Sequence, residues 1–356
     1  MDFTHTEDRR MLADSLRRYF AEQYTIEERN AVAYETPYHN PAKWQELVEL
    51  GIPAALVTET AGGFGGSGFD ICIVFEELGR ALCPEPLLST LMSSNVLTSI
   101  KASDLLNKIV NQGHQVALAV FEPDNPDTLS HVNTTATQNG DVWQLNGHKS
   151  VIYGGASATE ILVAARTESG IGLFCVSASH SHGYATIDGG GAADLVLVDT
   201  EATCLSEACE ESIEEALNAG RLALCAEAVG AMDVLHEMTV EYLKQRQQFG
   251  TIIATFQALQ HRLVDMAVEI EQARSITTLA ASKLGTDESS QYVSKAKNLI
   301  GRAATLVAEE ATQLHGGIGM TWEYAGSHYT KRLIMIDHQL GDRFVHINRL
   351  LDESAA

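Results

Sequence analysis

The sequence predicts an α+β multidomain protein: an N-terminal α-helical domain (residues 1–114), a middle antiparallel β domain (115–203) and a C-terminal four-helix bundle (204–356). Three observations predict it. Apolar residues recur at helical spacing toward both ends of the chain, short apolar runs divided by turn signals fill the middle, and 356 residues at 45% hydrophobic content supply more than one core.

In the first region Thr4 and Thr6 are N-cap candidates ahead of Asp8, Met11, Leu12, Leu16 and Phe20, which share one helical face. The run "AGGFGGSGFD" then interrupts the helical pattern. A GxGxxG frame fits Gly63, Gly65 and Gly68, but a dinucleotide fingerprint needs a strand before it, and helical segments flank this one. It reads as a loop feeding the helix "DICIVFEELGRAL".

From Val116 to Asp199 the runs "VALAVF", "VWQL", "EILVAA", "IGLFCV" and "DLVLVD" read as strands, with turns at Asn146-Gly147 and Gly189 to Gly191. No segment there has the length of a crossover helix, so the sheet should be largely antiparallel. After Thr203 three stripes follow: Leu217, Leu224, Ala228, Ala231, Leu235, Met238 and Tyr242; then Leu259, Leu263, Met266, Ile270 and Ala273; then Val293, Ala296, Ile300, Ala303, Val307, Ala311 and Leu314. With a shorter helix near Tyr329 to Ile336 they make an up-and-down bundle.

Lys and Arg total 24 against 47 Asp and Glu, and the net charge of -23 repels nucleic acid and anionic membrane surfaces. A few positioned Arg or Lys residues suffice to hold an anionic small molecule. Six cysteines without a CxxC pair suggest neither disulfides nor zinc, which fits a reduced, cytoplasmic protein. A di-iron bundle needs Glu-x-x-His twice, and only Asp233-x-x-His236 approaches it, so no metal is expected. The charged N-terminus and the lack of an apolar run near ~20 residues predict no signal peptide and no membrane segment.

The junctions are more specific. "RQQFG" at 246–250, "FQALQHRLVDM" after it and "QLHGGIGMTWEY" at 313–324, in this order and spacing, resemble the acyl-CoA dehydrogenase family. "GIPAALVTETAGGFGGSGFDICIVFEELGRAL" looks like its N-terminal helical domain and "WQLNGHKSVIYGGASATEILVAART" like its middle strands. The resemblance implies FAD as cofactor, an acyl-CoA thioester as substrate, an electron-transfer flavoprotein as acceptor, and a dimer or dimer of dimers. Acyl-CoA oxidases share the fold. It places Arg246 on the FAD pyrophosphate, as suits a bidentate guanidinium. Gln257 and Gln313 would bond polar edges of the cofactor, and Gly316 and Gly317 would let backbone N–H groups approach it. Gln248, Phe249, Phe256, Leu314, Gly341 and Asp342 complete the implied cofactor set. Taken singly, Arg246 also reads as a helix-terminus cation, Gly316-Gly317 as a helix stop, and the two glutamines as caps.

The resemblance also exposes a gap. A base must take the α proton of the thioester, and the family's carboxylate stands either before the Gly of the late turn, here Leu340, or before an Arg on the first long C-terminal helix, here Gly220. Neither position carries an acid. The flavin-face segment "TEPxAGSD" is replaced by "FEPDNPDT" (121–128), and "W-I-T" by Val151-Ile152-Tyr153. Three readings follow. The chain is one subunit of a heteromer, as in the paired acyl-CoA dehydrogenase subunits of bacterial steroid degradation, with a bulky acyl group as substrate and the base on a second subunit. Or it is a homomeric enzyme with a displaced base, Asp342 or Asp337, although Gly-Asp also favours plain turn chemistry. Or it is a non-catalytic, FAD-supporting assembly subunit. Glu227 reads as a solvent or interface carboxylate.

Overall fold

The computed structural model describes residues 6–124, 128–129 and 131–355. Helices α1 (Glu7–Gln23), α2 (Ile26–Ala33), α3 (Pro41–Glu49), α4 (Ile52–Ala55), α5 (Gly68–Ala81), α6 (Leu87–Ser99) and α7 (Ser103–Gln112) come first. Strands β1 (Val116–Ala119), β2 (Thr135–Asn139), β3 (Val142–Tyr153), β4 (Glu160–Arg166), β5 (Ile171–Ser177), β6 (Ser181–Ala185) and β7 (Gly191–Ser206) follow. The chain then forms α8 (Glu210–Gln245), a hairpin of β8 (Gln247–Gln248) and β9 (Thr251–Ile252), α9 (Gln257–Ala281), α10 (Ser289–His315), α11 (Ala325–His338) and α12 (Arg343–Ala355). These elements gather into two compact units, one of Met1–Arg29, Ile71–Cys83 and Arg221–Ala356, the other of Asn30–Asp70 and Pro84–Gly220.

In the first unit Thr6 caps α1 by accepting the Arg9 N–H, and Glu7 and Asp8 favour the positive end of its dipole. Thr4 lies outside the described residues. Leu16 and Phe20 are buried as the stripe requires, whereas Met11 is 56% exposed because the contact with the core begins a turn later. The α10 stripe is buried along its whole predicted length, from Val293 to Leu314. Between α5 and α8 the backbones touch. A Cβ on Gly79 would stand 2.0 Å from the Glu227 carbonyl oxygen, and one on Gly230 would stand 2.0 Å from that of Glu76.

In the second unit the sheet runs β1-β4-β2-β3-β7-β5, β6 adds to β7, and a β4–β5 pairing closes five strands into a ring. Its centre is filled by Leu145, Ile161, Val163, Phe174, Leu195 and Leu197. The pairing is antiparallel except for β1 and β2, which both meet β4 in parallel. Asn146-Gly147 is not a turn: both residues lie inside β3, at a shift of register against β7, and a Cβ on Gly147 would stand 2.4 Å from the Thr134 hydroxyl. The reversal falls at Gly140 and Asp141, with Gly140 at φ 65°. The Gly189 to Gly191 turn stands where expected, with positive φ at Gly189 and Gly190. All six cysteines are free thiols, and no helix among the described residues is long and apolar enough to cross a membrane.

Candidate active-site elements

At the end of α8 the Arg246 N–H still bonds the Tyr242 carbonyl, after which the chain turns back through the β8–β9 hairpin. Its two-residue turn is Phe249 (φ 54°) and Gly250 (φ 77°), the paired left-handed conformation that fits the strand twist. Glycine takes that conformation freely; for phenylalanine it costs roughly 1–2 kcal/mol. The Phe249 ring is 91% exposed, so little packing among the described residues repays the strain. Phe256 lies edge-on to it, 6.4 Å between centroids, and is itself 39% exposed. Arg246, Gln248 and Gln257 are exposed as well.

The end of α10 is brought to this arm by an aromatic stack. The His315 ring lies between Tyr242 and Tyr324, with centroids at 4.6 and 4.8 Å. Its Nδ1 bonds the Ala311 carbonyl at 2.8 Å, so that nitrogen carries the hydrogen, and Nε2 accepts the Tyr324 hydroxyl at 2.5 Å. Burial holds the imidazole below its ordinary pKa, in keeping with this neutral form. The chain then leaves the helix through Gly316 (φ 66°) into a short 3-10 turn, Gly316–Met320. A Cβ on Gly316 or Gly317 would meet no atom within 4 Å. Gln313 is exposed, Leu314 is buried, and Ile318, Met320 and Trp322 are 44%, 73% and 49% exposed. An exposed guanidinium, open glycine backbone and uncovered apolar side chains fit a large ligand carrying phosphate and ring. His315 and Tyr324 stand in the quoted motif, yet their support of its glycines was not read from it.

The turn joining α11 to α12 has the opposite character. Leu340 is 3% exposed at φ 58°, and its carbonyl accepts Arg221 Nε at 3.1 Å and faces His346 Nε2 at 3.3 Å. Lys297 Nζ donates to the carbonyls of Ile336 (2.6 Å), Asp337 (3.3 Å) and Gln339 (2.8 Å). Arg221, Lys297 and His346 are all wholly buried. Burial lowers Lys297 to about 8 and, with Arg221 and Lys297 beside it, His346 to about 2. The turn is therefore held through its backbone by buried donors, and Gly341 (φ 96°) is packed against His346 and Val345.

The acids near this turn are all engaged. Asp342 Oδ1 accepts the N–H groups of Phe344 and Val345, both at 2.8 Å, and so caps α12. Asp337 accepts the Arg343 N–H at 3.1 Å and forms an ion pair with its guanidinium, 3.3 Å from Nε. Glu227 corrects the sequence reading. It is 6% exposed and forms a two-pronged pair with Arg332 at 2.5 and 2.6 Å, whose Nη1 also reaches Gln339. Its partner lies 105 residues away, beyond the reach of local pattern. Gly220 is buried within α8 and contributes no side chain.

In the second unit the start of the "FEPDNPDT" segment is tied down, and residues 125–127 lie outside those described. Glu122 accepts the Asn133 and Thr134 N–H groups, the Thr134 hydroxyl and, at 2.8 Å, Lys149 Nζ. Burial would raise this carboxyl, but Lys149 and Thr134 bring it down to about 2. At the second bulge of β3, Val151 is 42% exposed at φ 50°, a conformation that β-branched residues rarely take, while Ile152 is buried.

Comparison with known proteins agrees with this architecture. The acyl-CoA dehydrogenase N-terminal domain profile matches residues 6–102 and the C-terminal domain profile residues 211–348. Acyl-CoA dehydrogenase IpdE2 of Mycobacterium tuberculosis is 30% identical over 334 residues, covering 92% of each chain, and IpdE2 of Mycolicibacterium smegmatis is 29% identical with the same coverage. Among solved structures, a variant of the Tcur3481-Tcur3483 steroid ACAD superposes with a TM-score of 0.89 at 29% identity over 98% of each chain. The ChsE4-ChsE5 complex from Mycobacterium tuberculosis superposes at 0.91 with 23% identity over 100% of this chain and 99% of that one. The chain belongs to the acyl-CoA dehydrogenase family, FAD-binding oxidoreductases whose helical, β and helical order it reproduces.

Proposed function

We propose that this chain is one subunit of a heteromeric acyl-CoA dehydrogenase whose catalytic carboxylate is carried by a different polypeptide. The observation that carries the reading is the plugged turn: Leu340, at the position where the family resemblance puts the acid, is buried, and Asp342 and Asp337 are committed to the α12 cap and to Arg343. Hydrocarbon accepts no proton. The exposed arm argues for a partner, because Phe249 and Met320 are large apolar side chains left 91% and 73% exposed, of the kind that an assembly hides.

Arg246 would neutralise the FAD pyrophosphate, the N–H groups at Gly316 and Gly317 would approach it, and Phe249 and Phe256 would flank it. When bound, FAD supplies the acceptor for the β hydrogen of the acyl chain. This chain's own contribution is to bind and orient, with the α proton taken elsewhere. The steroid ACAD likeness supports a bulky, ring-bearing acyl-CoA as substrate. Electron-transfer flavoprotein is the acceptor expected of the family.

The test is the visible spectrum, native mass and acyl-CoA-dependent reduction of an electron acceptor, for the chain alone and coexpressed with a second acyl-CoA dehydrogenase subunit. Flavin and turnover are expected only with the partner. Turnover by the lone homomer would sink the proposal and send the search to Asp342. A pair that gains FAD but no turnover would leave a supporting subunit.

A further inference from the structure

Within the first unit a cavity of about 410 Å3 opens between the last turns of α1, the end of α5, the last third of α8 and the start of α11. Its walls are apolar and aromatic: Phe20, Tyr24, Leu82, Met238 and Tyr329. That size and lining suit a small ring-bearing molecule.

The charged groups on its wall are unequally satisfied. Glu77 is saturated by Arg17, at 3.1 Å to Nε and 2.5 Å to Nη2. Arg80 gives Nη2 to Asp233 at 2.6 Å, but Asp233 is shared with Arg274, and Arg80 Nη1 comes only within 3.9 Å of Glu237. Arg80 Nη1 is thus the donor left for a ligand, since Nε, though also without an acceptor, is buried out of a ligand's reach. A guanidinium nitrogen without a close acceptor favours one brought in by a ligand. The cationic side of the cavity is at Tyr329, where Arg29 and Arg80 stand against Glu237, whereas Glu77, Glu76 and Asp14 surround Arg17 on the other side.

We propose that this cavity binds a small carboxylic acid carrying an aromatic or alicyclic ring, with the ring among Phe20, Tyr24 and Tyr329 and the carboxylate on Arg80. The site is independent of which subunit carries the base, since it uses none of the residues assigned to FAD or to the late turn.

Benzoate and cyclohexanecarboxylate are the probes, with benzyl alcohol as the uncharged comparison, titrated calorimetrically into the full-length chain. Saturable binding of one molecule per chain is expected, with the acids favoured over the alcohol by ~10-fold from the charge-assisted bond. Ala21→Trp, at an exposed rim position on α1, should abolish binding without moving the unfolding midpoint. Arg80→Gln removes the guanidinium charge and should erase the preference for the acids. The proposal is overturned if neither acid binds saturably, if binding survives Ala21→Trp, or if Arg80→Gln leaves the preference intact.

Discussion

Two turns of the same unit invite comparison. The turn after α10 presents Gly316 and Gly317 to open space and leaves Met320 73% exposed, while the turn after α11 closes over Leu340 and anchors four carbonyls on Lys297, Arg221 and His346. The first, on the proposed reading, is completed from outside. The second is complete already. Residues at the open turn should therefore answer to binding and those at the closed turn to stability, and each prediction below tests that division.

The largest effect is expected inside the closed turn. Lys297→Met leaves three buried carbonyls without their donor, and a loss of about 3–5 kcal/mol in urea unfolding is expected. A loss below ~1 kcal/mol, the size of an ordinary single hydrogen bond, would mean that water replaces the ammonium and the turn is not sealed. At the open turn, Arg246→Ala should weaken FAD retention by the coexpressed complex by ~10–100-fold, since hydrogen bonds to charged groups are worth ~1.5–3 kcal/mol. The lone chain's unfolding midpoint should not move. If it does, Arg246 belongs to the fold and the division between the turns fails there.

Acidity provides a third test. Burial keeps His346 neutral in the fold down to about 2, whereas the unfolded chain protonates it near the ordinary value of 6.5. The unfolded state thus binds more protons below ~6.5, and stability contributed by this group falls with pH across that window, by ~2 kcal/mol between pH 6.5 and 5. His315 is shifted in the same direction. His346→Gln should flatten the pH dependence of the unfolding free energy by close to one proton, and an unchanged slope would show the imidazole to be already charged. The smallest effect is expected at Phe249→Gly, which relieves the left-handed strain. It should raise the lone chain's stability by about 1 kcal/mol while reducing the coexpressed assembly seen by native mass.

Much of the fold was legible because it rests on local periodicity. The α10 stripe is buried as its spacing requires, and the glycines of the open turn sit in a short motif whose chemistry is contained in a few consecutive residues. The strands β2 and β6 escaped because their sequences, "TATQN" and "SHGYA", carry little apolar signal, and Asn146-Gly147 misled because a bulge uses glycine for close approach as readily as a turn does. The closed turn was legible only as the absence of a carboxylate. Its substance is long-range: Lys297 meets carbonyls 39 to 42 residues away and Arg221 one 119 away. A lone basic residue in an apolar helix gives no sign of which backbone it will satisfy.

The crossing of α5 and α8 at Gly79 and Gly230 has a consequence for how this molecule tolerates change. Most core positions are weakened by removal of atoms and are found by alanine scanning. Here nothing can be removed, and alanine is the perturbation: one added methyl on either helix meets a carbonyl oxygen of the other. The two positions act as vetoes on the sequence, silent in any survey that deletes and decisive in any that inserts. The spacing of the first unit's helices is thus enforced by what the sequence withholds at two points.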